Sequence, residues 1–160
     1  MPYPKHESFV LILEDDPNDA FLIQRAIRKV THSCRYHVLS KGHEVISYLR
    51  GDGDYARRDE FPLPDLVLRD VALAEVPGLD LLQSVRGLFD CGRLPVIPWS
   101  STDHAEDVDR AYELGANSFV VKPVDFGGLQ NILGRLLSFW GGRVQVPGCS
   151  RAPRSIAETC

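Results

Sequence analysis

The sequence lacks the features that mark secreted and membrane proteins. Its four cysteines have no C-x-x-C spacing, and residues 1–8 contain no apolar core of a signal peptide. No apolar run approaches the ~20 residues that a transmembrane helix needs. Scattered cysteines without a secretion signal are typical of a reducing compartment. We therefore expect a cytoplasmic protein that has no membrane partner.

The sequence also lacks an excess of positive charge. The formal net charge is -4 at pH 7, 44% of the residues are hydrophobic and 25% are charged. Without a basic face, direct binding to nucleic acid is not expected. A chain of 160 residues can bury a real core as one domain. We expect that domain at residues 1–140, followed by a flexible tail at residues 141–160, where Pro147 and Pro153 interrupt regular structure.

Five short apolar segments alternate with segments of helical periodicity. The expected strands are residues 9–13, 36–39, 66–68, 94–99 and 118–121. Runs that are apolar throughout are typical of parallel strands covered on both faces. The alternation predicts an α/β fold, a doubly wound five-stranded parallel sheet in which each strand is followed by a helix.

Polar residues predict where the helices begin. Asp16, directly before a proline, is expected to cap the first helix. Asp125 is expected to cap the last helix, which runs to Trp140. The hydroxyl residues 100–102 are expected to cap a helix at about residues 103–114.

Two segments depart from the expected pattern. Pro98 lies inside the fourth expected strand, where a proline removes a ladder hydrogen bond. Residues 51–64 form a long polar connection, and such connections are more often functional or flexible than accidental. Asp52 and Asp54 resemble the start of a calcium loop, but the later acidic ligands and the closing glutamate are missing, so calcium binding is not favoured.

Polar side chains stand at the ends of four of the expected strands. They are Glu14 and Asp15 after the first strand, Asp70 after the third, Ser100 after the fourth and Lys122 after the fifth. In an open parallel sheet the carboxyl ends of the strands lie side by side and form the crevice in which ligands bind. Each residue alone has an ordinary explanation as a cap, a turn or a solvated acid. Their combination favours a site.

The chemistry of these residues points to phosphoryl transfer. Three carboxylates in one crevice repel one another unless a hard cation joins them. Mg²⁺ takes oxygen ligands from carboxylates and phosphates, so Mg²⁺ is the predicted cofactor. Asp70 could then attack a phosphorus atom and form an acyl phosphate. Lys122 would offer a positive charge, and Ser100 a hydroxyl, to the oxygens of the transferred group.

The chain resembles the receiver domains of response regulators in two-component signalling, over about residues 8–140. The matching elements are the pair Glu14-Asp15, Asp70 with Pro77-Gly78 downstream, Ser100, and Lys122-Pro123. Receiver domains have a flavodoxin-like fold. The long insertion before the third strand, and segments 14–20 and 111–116, resemble stand-alone receivers similar to cyanobacterial phytochrome response regulators.

The resemblance implies a role for each acidic residue. Asp70 would accept a phosphoryl group from a sensor histidine kinase, with a phytochrome-type kinase among the candidates. Mg²⁺ would be held by Asp15, Asp70 and the carbonyl of Ala72. Glu14 would act on the metal through a water molecule.

The resemblance also implies how the signal leaves the domain. Ser100 and Phe119 match the switch pair of the family, in which the hydroxyl closes on the phosphate and the aromatic ring follows it inward. Trp99 directly precedes this hydroxyl. The residues after Trp140 are too few and too irregular to form an effector domain, so output is expected through protein contact. A homodimer through the fourth helix, fifth strand and fifth helix is one such contact.

Two other classes remain open. Arg69 stands next to the acceptor where an aliphatic residue is usual, and with Pro98 it would suit a degenerate receiver that binds proteins without being phosphorylated. A phosphatase of the haloacid-dehalogenase type also uses a strand-end aspartate, but it needs a second aspartate where Ala72 stands. We therefore expect a signalling domain and not an enzyme, whose only chemistry is to accept the phosphoryl group and release it again.

Overall fold

The computed structural model describes residues 7–71, 80–89 and 93–141 of the chain. Its strands are β1 (Ser8–Leu13), β2 (Cys34–Leu39), β3 (Leu66–Asp70), β4 (Val96–Ser100) and β5 (Val120–Val121). Its helices are α1 (Pro17–Val30), α2 (Gly42–Arg50), α3 (Asp80–Leu88), α4 (Ala105–Glu113) and α5 (Phe126–Trp140). The strands form one parallel sheet in the order β2-β1-β3-β4-β5. The predicted doubly wound α/β fold is confirmed.

The sheet is covered on both faces, which explains why β1 is apolar almost throughout. Alternate residues of a strand point to opposite faces of the sheet. Val10 and Ile12 lie in a core cluster with residues of α1 and α5. Leu11 and Leu13 lie in a second core cluster with residues of α2 and α3. The carboxyl end of β1 is thereby fixed between two packed layers.

β4 continues through Pro98 because the backbone of Pro98 faces β5 and not β3. Successive residues of a central parallel strand bond to opposite neighbours. The carbonyls of Val96 and Ser100 accept hydrogen bonds from Asn117 and Lys122 on the β5 side, so Pro98 faces that side as well. There β5 pairs with β4 over two residues only, after the proline. The missing N–H therefore costs little pairing, and β4 is buried along its whole length.

Some element ends differ from the predicted ones. The fifth strand covers two residues, fewer than the predicted range 118–121, and β4 extends to Ser100. Asp16 and Asp125 accept hydrogen bonds from backbone N–H groups in the first turns of α1 and α5, as predicted. The predicted cap of α4 by residues 100–102 is wrong. The cap position of α4 is His104, whose side chain makes no capping hydrogen bond. Ser100 does not cap the helix because it is still part of β4.

The long connection 51–64 packs against the rest of the domain. Residues Gly53–Ala56 form a 3₁₀ helix. Arg58 then donates hydrogen bonds to the carbonyls of Tyr48, Leu49 and Phe61. The carbonyls of Tyr48 and Leu49 belong to the last turn of α2, whose carbonyl groups lack the i+4 partner of the helix interior. The length of this connection therefore serves packing.

Folding stability is expected to fall in mild acid because of His37 on β2. The ring of His37 stacks on Tyr48, with centroids 5.5 Å apart, and meets Tyr55 and Phe61 edge-on. Burial lowers the pKa of His37, although the charge of Glu44 opposes the shift. The unfolded chain then binds a proton that the folded protein resists. Stability that is present above the ordinary pKa of ~6.5 is therefore lost as the pH falls through the lowered pKa.

Urea unfolding of the wild type and of His37→Phe between about pH 8 and pH 5 tests this expectation. The pH dependence should be shallower in the variant, whose ring cannot take up a proton. The same dependence in both proteins contradicts it. His32→Phe, at an exposed position, is the control and should leave the dependence unchanged.

Several predicted features lie outside the described residues. They are Ala72, Pro77, Gly78 and residues 142–160 of the expected tail. The division into a domain at residues 1–140 and a tail thus stays a prediction. Within residues 7–71, 80–89 and 93–141, no helix is long and apolar enough to span a bilayer.

Candidate functional site

Three carboxylates meet where β1 and β3 end. Leu13 of β1 pairs with Arg69 of β3, so the residues that follow them, Glu14 and Asp70, come side by side. Carboxylate oxygens of Glu14, Asp15 and Asp70 lie within 4.8 Å of one another. Glu14 and Asp70 are buried, whereas Asp15 is exposed. The structure thus brings the three predicted acidic residues into one cluster.

Lys122, directly after β5, reaches across the sheet edge to this cluster. Its Nζ donates to Oδ2 of Asp70 at 2.6 Å and to Oε2 of Glu14 at 2.9 Å. The same atom lies 3.5 Å from Oδ2 of Asp19 on α1. The backbone N–H of Lys122 donates to the carbonyl of Ser100 at 2.7 Å, which fixes the base of the side chain. The ammonium therefore balances part of the negative charge of the cluster.

Burial and ion pairing act in opposite directions on these groups. Burial raises the pKa of Glu14 to about 7, even though Lys122 and the backbone N–H of Asp16 favour its ionised form. Burial also disfavours the ammonium of Lys122, but hydrogen bonds to Asp70 and Glu14 outweigh this effect and raise the pKa of Lys122. The lysine is therefore charged at neutral pH, while burial opposes the ionised form of Glu14.

The donor set fits a hard divalent cation. The cluster consists of carboxylate oxygens, the ligands that Mg²⁺ and similar ions prefer. Three carboxylates face the single charge of Lys122, so a divalent cation would balance the negative charge that is left. Glu14, Asp15 and Asp70 would hold it. Ala72, the other predicted ligand, lies outside the described residues.

Affinity for Mg²⁺ is expected to fall further in Asp15→Asn than in Glu14→Gln. Asp15 is exposed and can bind the ion directly. Both oxygens of Glu14 already accept hydrogen bonds, Oε1 from the backbone of Asp16 and Oε2 from Lys122. Loss of one charge-assisted contact corresponds to about 1–3 kcal/mol, or roughly 5- to 150-fold in the dissociation constant. Calorimetric titration measures the order, with Asp103→Asn as the control, and an equal or larger loss in Glu14→Gln contradicts it.

Ser100 and Phe119, the predicted switch pair, lie at the end of β4 and directly before β5. Ser100 follows Trp99, which pairs with Asp70 of the neighbouring strand. The hydroxyl of Ser100 accepts a hydrogen bond from the backbone of Thr102 at 3.2 Å, within its own loop. Phe119 is half-buried against the core cluster that includes α2 and α3 residues. The switching roles of both residues stay predictions.

Two contacts of Lys122 were not predicted from the sequence. Asp19, in the first turn of α1, approaches the ammonium. Nζ of Lys122 also lies 5.2 Å from the centre of the Trp99 ring. Trp99 pairs with Val120, and two residues further along, Lys122 returns to the same face of the sheet. That register is known only once the pairing of β4 with β5 is known.

Arg69 is buried in β3, with no part of it exposed. It pairs with Leu13 on one side and with Pro98 on the other. By the alternation of a strand, its side chain leaves β3 on the face opposite to that of Asp70. This unusual residue is therefore next to Asp70 in sequence but on the other face of the sheet.

The fold agrees with the comparison to known proteins. A family model for the response regulator receiver domain matches residues 10–134. The chain therefore belongs to the receiver domain family of the response regulators, which act in two-component systems. Receiver domains are signalling domains and are not generally classed as enzymes.

Three relatives show how far the similarity extends. Response regulator Rcp1 of Synechocystis sp. (strain ATCC 27184 / PCC 6803 / Kazusa) is 27% identical over 138 residues, which is 86% of this chain and 92% of Rcp1. The structure of response regulator RPA3017 in red light signaling of R. palustris has a TM-score of 0.81 at 25% identity and covers 88% of this chain and 99% of its own. The phosphorylated cyanobacterial phytochrome response regulator RcpA has a TM-score of 0.78 at 27% identity and covers 89% and 99%.

The same comparison bears on the metal. A structure of Rcp1 in its Mn²⁺-bound form has a TM-score of 0.74 at 26% identity and covers 88% of this chain and 99% of its own. The acidic cluster of this chain fits a divalent metal.

Proposed function

We propose that the chain is a stand-alone response regulator that accepts a phosphoryl group on Asp70 from a sensor histidine kinase, with Mg²⁺ as the cofactor. The observation that carries the proposal is the cluster in which buried Asp70 meets Glu14, Asp15 and Lys122. A buried carboxylate held by a lysine, beside two further carboxylates, suits attack on a phosphorus atom better than it suits a purely structural ion pair.

In the proposed reaction, a carboxylate oxygen of Asp70 attacks the phosphorus of a phosphohistidine. A new O–P bond forms, the N–P bond breaks, and its electron pair stays on the histidine nitrogen. Lys122 is placed to balance charge on the transferred group, because its ammonium already bonds to Asp70 at 2.6 Å. Glu14, Asp15 and Asp70 would hold Mg²⁺, which would offset the charge of the phosphoryl oxygens. Hydrolysis of the acyl phosphate later restores Asp70.

The test uses Mg²⁺ and acetyl phosphate as a small phosphodonor, followed by the mass of the intact protein. The expected result is a gain of one phosphoryl group that depends on Mg²⁺. An unrelated receiver that labels in the same tube shows that the reagents are active. If this protein stays unmodified beside it, the proposal is wrong.

That negative result would favour a degenerate receiver, which binds proteins without being phosphorylated. The observations on its side are buried Arg69 directly before the acceptor and Pro98 beside it on β4. Neither residue removes a group that the reaction needs. Both instead lie in the strands that position Asp70, and a failure to label would therefore be traced first to these two positions.

The partners follow from the same proposal. A phytochrome-type histidine kinase is the first candidate, because the names of RcpA and RPA3017 connect those proteins with phytochrome and red light. Output would pass through protein contact in the cytoplasm, and the net charge of -4 does not favour direct contact with nucleic acid.

A homodimer through α4, β5 and α5 is part of the proposal. Each of these elements exposes a large apolar side chain, namely Tyr112 at 50%, Val121 at 47% and Phe139 at 54%. These exposed side chains would supply the apolar part of such an interface. A functional two-fold contact should bury more than roughly 1,000 Å² in total.

Light scattering at high micromolar concentration is expected to give the mass of two chains, and Phe139→Glu is expected to give the mass of one. The glutamate would place an unpaired charge in the interface, which strongly disfavours association. Phe21→Glu changes a phenylalanine on α1 that is 61% exposed, and this control should stay dimeric. A monomeric wild type, with and without a phosphate mimic on Asp70, ends this part of the proposal.

A further inference from the structure

Trp99 occupies the position under the ammonium of Lys122. It lies in β4, no part of it is exposed, and it belongs to the core cluster of α1 and α5. The Nζ atom of Lys122 lies 5.2 Å from the centre of its ring, within the distance at which a cation is attracted to an aromatic face. The side chain of Lys122 is only 15% exposed, so water screens this attraction weakly.

The orientation of the indole is not explained by a hydrogen bond. Its Nε1 atom is buried and has no hydrogen-bond partner within the part of the chain that the structure describes. A buried donor without a partner costs free energy, and a tryptophan is usually placed so that its N–H finds an acceptor. Here the ring keeps the N–H inside an apolar core and turns its face to the lysine.

Lys122 needs further contacts to fix the position of its ammonium. Its four-carbon stem has many rotamers, and its ammonium is a point charge without the fixed geometry of a guanidinium. Carboxylates of Asp70, Glu14 and Asp19 attract it from the side of the crevice. The face of the Trp99 ring carries negative potential, and its attraction limits the movement of the Lys122 ammonium. The ammonium is thereby held near the acceptor oxygen before a phosphodonor arrives.

We propose that Trp99 is a positioning residue that holds the Lys122 ammonium beside Asp70 through the face of its indole ring. The proposal rests on the proposed function for its effect on phosphorylation, but the contact itself can be measured without any phosphodonor. It does not require Trp99 to touch the reacting atoms.

Proton NMR of the ε-methylene groups tests the contact. Protons above an indole face move upfield, so the Lys122 signal should lie upfield of the ordinary lysine position. The chain has four lysines, and Lys122→Met identifies the signal by its loss. This control matters because Lys29 lies over the ring of Phe126, with Nζ 5.8 Å from its centre. The upfield shift should shrink in Trp99→Phe and vanish in Trp99→Leu.

Acetyl phosphate labelling tests the consequence. Trp99→Phe keeps an aromatic face and should label within about 2-fold of the wild type, whereas Trp99→Leu should be roughly 3- to 10-fold slower. The loss should fall on the maximal labelling rate and leave the half-saturating Mg²⁺ concentration unchanged. Ile97→Val removes a methyl group from the same strand and core cluster without touching the lysine, and it should label like the wild type.

The two experiments test the contact and the positioning role separately. A wild-type Lys122 signal at the ordinary lysine position overturns the contact. An upfield signal with equal labelling of the Phe and Leu variants overturns the positioning role and leaves Trp99 as core packing. If Trp99→Leu does not fold, Trp99→Met takes its place as an apolar side chain without an aromatic face. If the wild type shows the upfield signal but never labels, the proposed function fails and the contact stands.

Discussion

In Asp70→Asn, treatment with Mg²⁺ and acetyl phosphate is expected to leave the mass of the protein unchanged. Asparagine has nearly the shape of aspartate, but its amide lacks the anionic oxygen that attacks phosphorus. The loss should therefore be complete and not a matter of degree. Asp70 is only 6% exposed and accepts a hydrogen bond from Lys122, so the amide should keep the local packing while removing the nucleophile.

The control for this variant is Asp103→Asn, an exposed acid in the loop after β4, which should label like the wild type. Urea unfolding shows whether Asp70→Asn is folded. A phosphoryl adduct that survives in folded Asp70→Asn would place the acceptor elsewhere, and peptide mapping after borohydride reduction would then locate it. Loss of labelling in Asp103→Asn as well would mean that the reaction depends on the total negative charge at this edge of the sheet and not on one nucleophile.

The strand ends could be predicted from the sequence because a strand that is buried on both faces consists almost entirely of apolar residues. β1 and β3 are runs of apolar residues that stop at Glu14 and Asp70, and a parallel sheet brings such ends together. No distance was needed to expect one acidic cluster. The caps at Asp16 and Asp125 could be predicted for a similar reason, since their signal is local.

What could not be predicted depends on pairing between distant strands. Lys122 was expected in the site from its place at a strand end, but whether its side chain passes over Trp99 depends on the register between β4 and β5. That register is set by two residue pairs in a strand that is only two residues long. Alternation along the chain fixes the face of each side chain within a strand but not which residues are opposite one another.

The expected cap at residues 100–102 failed for a related reason. A serine after an apolar run has the same sequence signal whether it ends a strand or begins a helix. Pairing of Ser100 with Val121 extends β4 by one residue, and α4 then begins at Ala105 without a capping side chain. Local hydrogen-bonding preference was overruled by the ladder between neighbouring strands.

Strand pairing also determines how much an ion pair contributes to folding stability. Lys122→Met tests this most directly. Without a metal, this substitution is expected to lower the free energy of unfolding by about 3 kcal/mol, because it leaves Glu14 and Asp70 buried without their cation. Methionine keeps most of the length of the side chain, so lost packing contributes little. Lys41→Met, at an exposed lysine before α2, should change stability by less than about 0.5 kcal/mol.

The sign of the pH dependence separates a charge effect from a packing effect in Lys122→Met. Burial already raises the pKa of Glu14 to about 7 in the wild type, and removal of the ammonium should raise it further. A group whose pKa is raised on folding stabilises the folded state at low pH and loses that contribution as the pH rises through the folded value. The deficit of Lys122→Met should therefore be larger at about pH 8 than at about pH 5. Saturating Mg²⁺ should narrow it, because a bound cation supplies the missing positive charge and stabilises the folded state by mass action. A deficit that neither pH nor Mg²⁺ changes would mean that Lys122 acts on stability through packing alone.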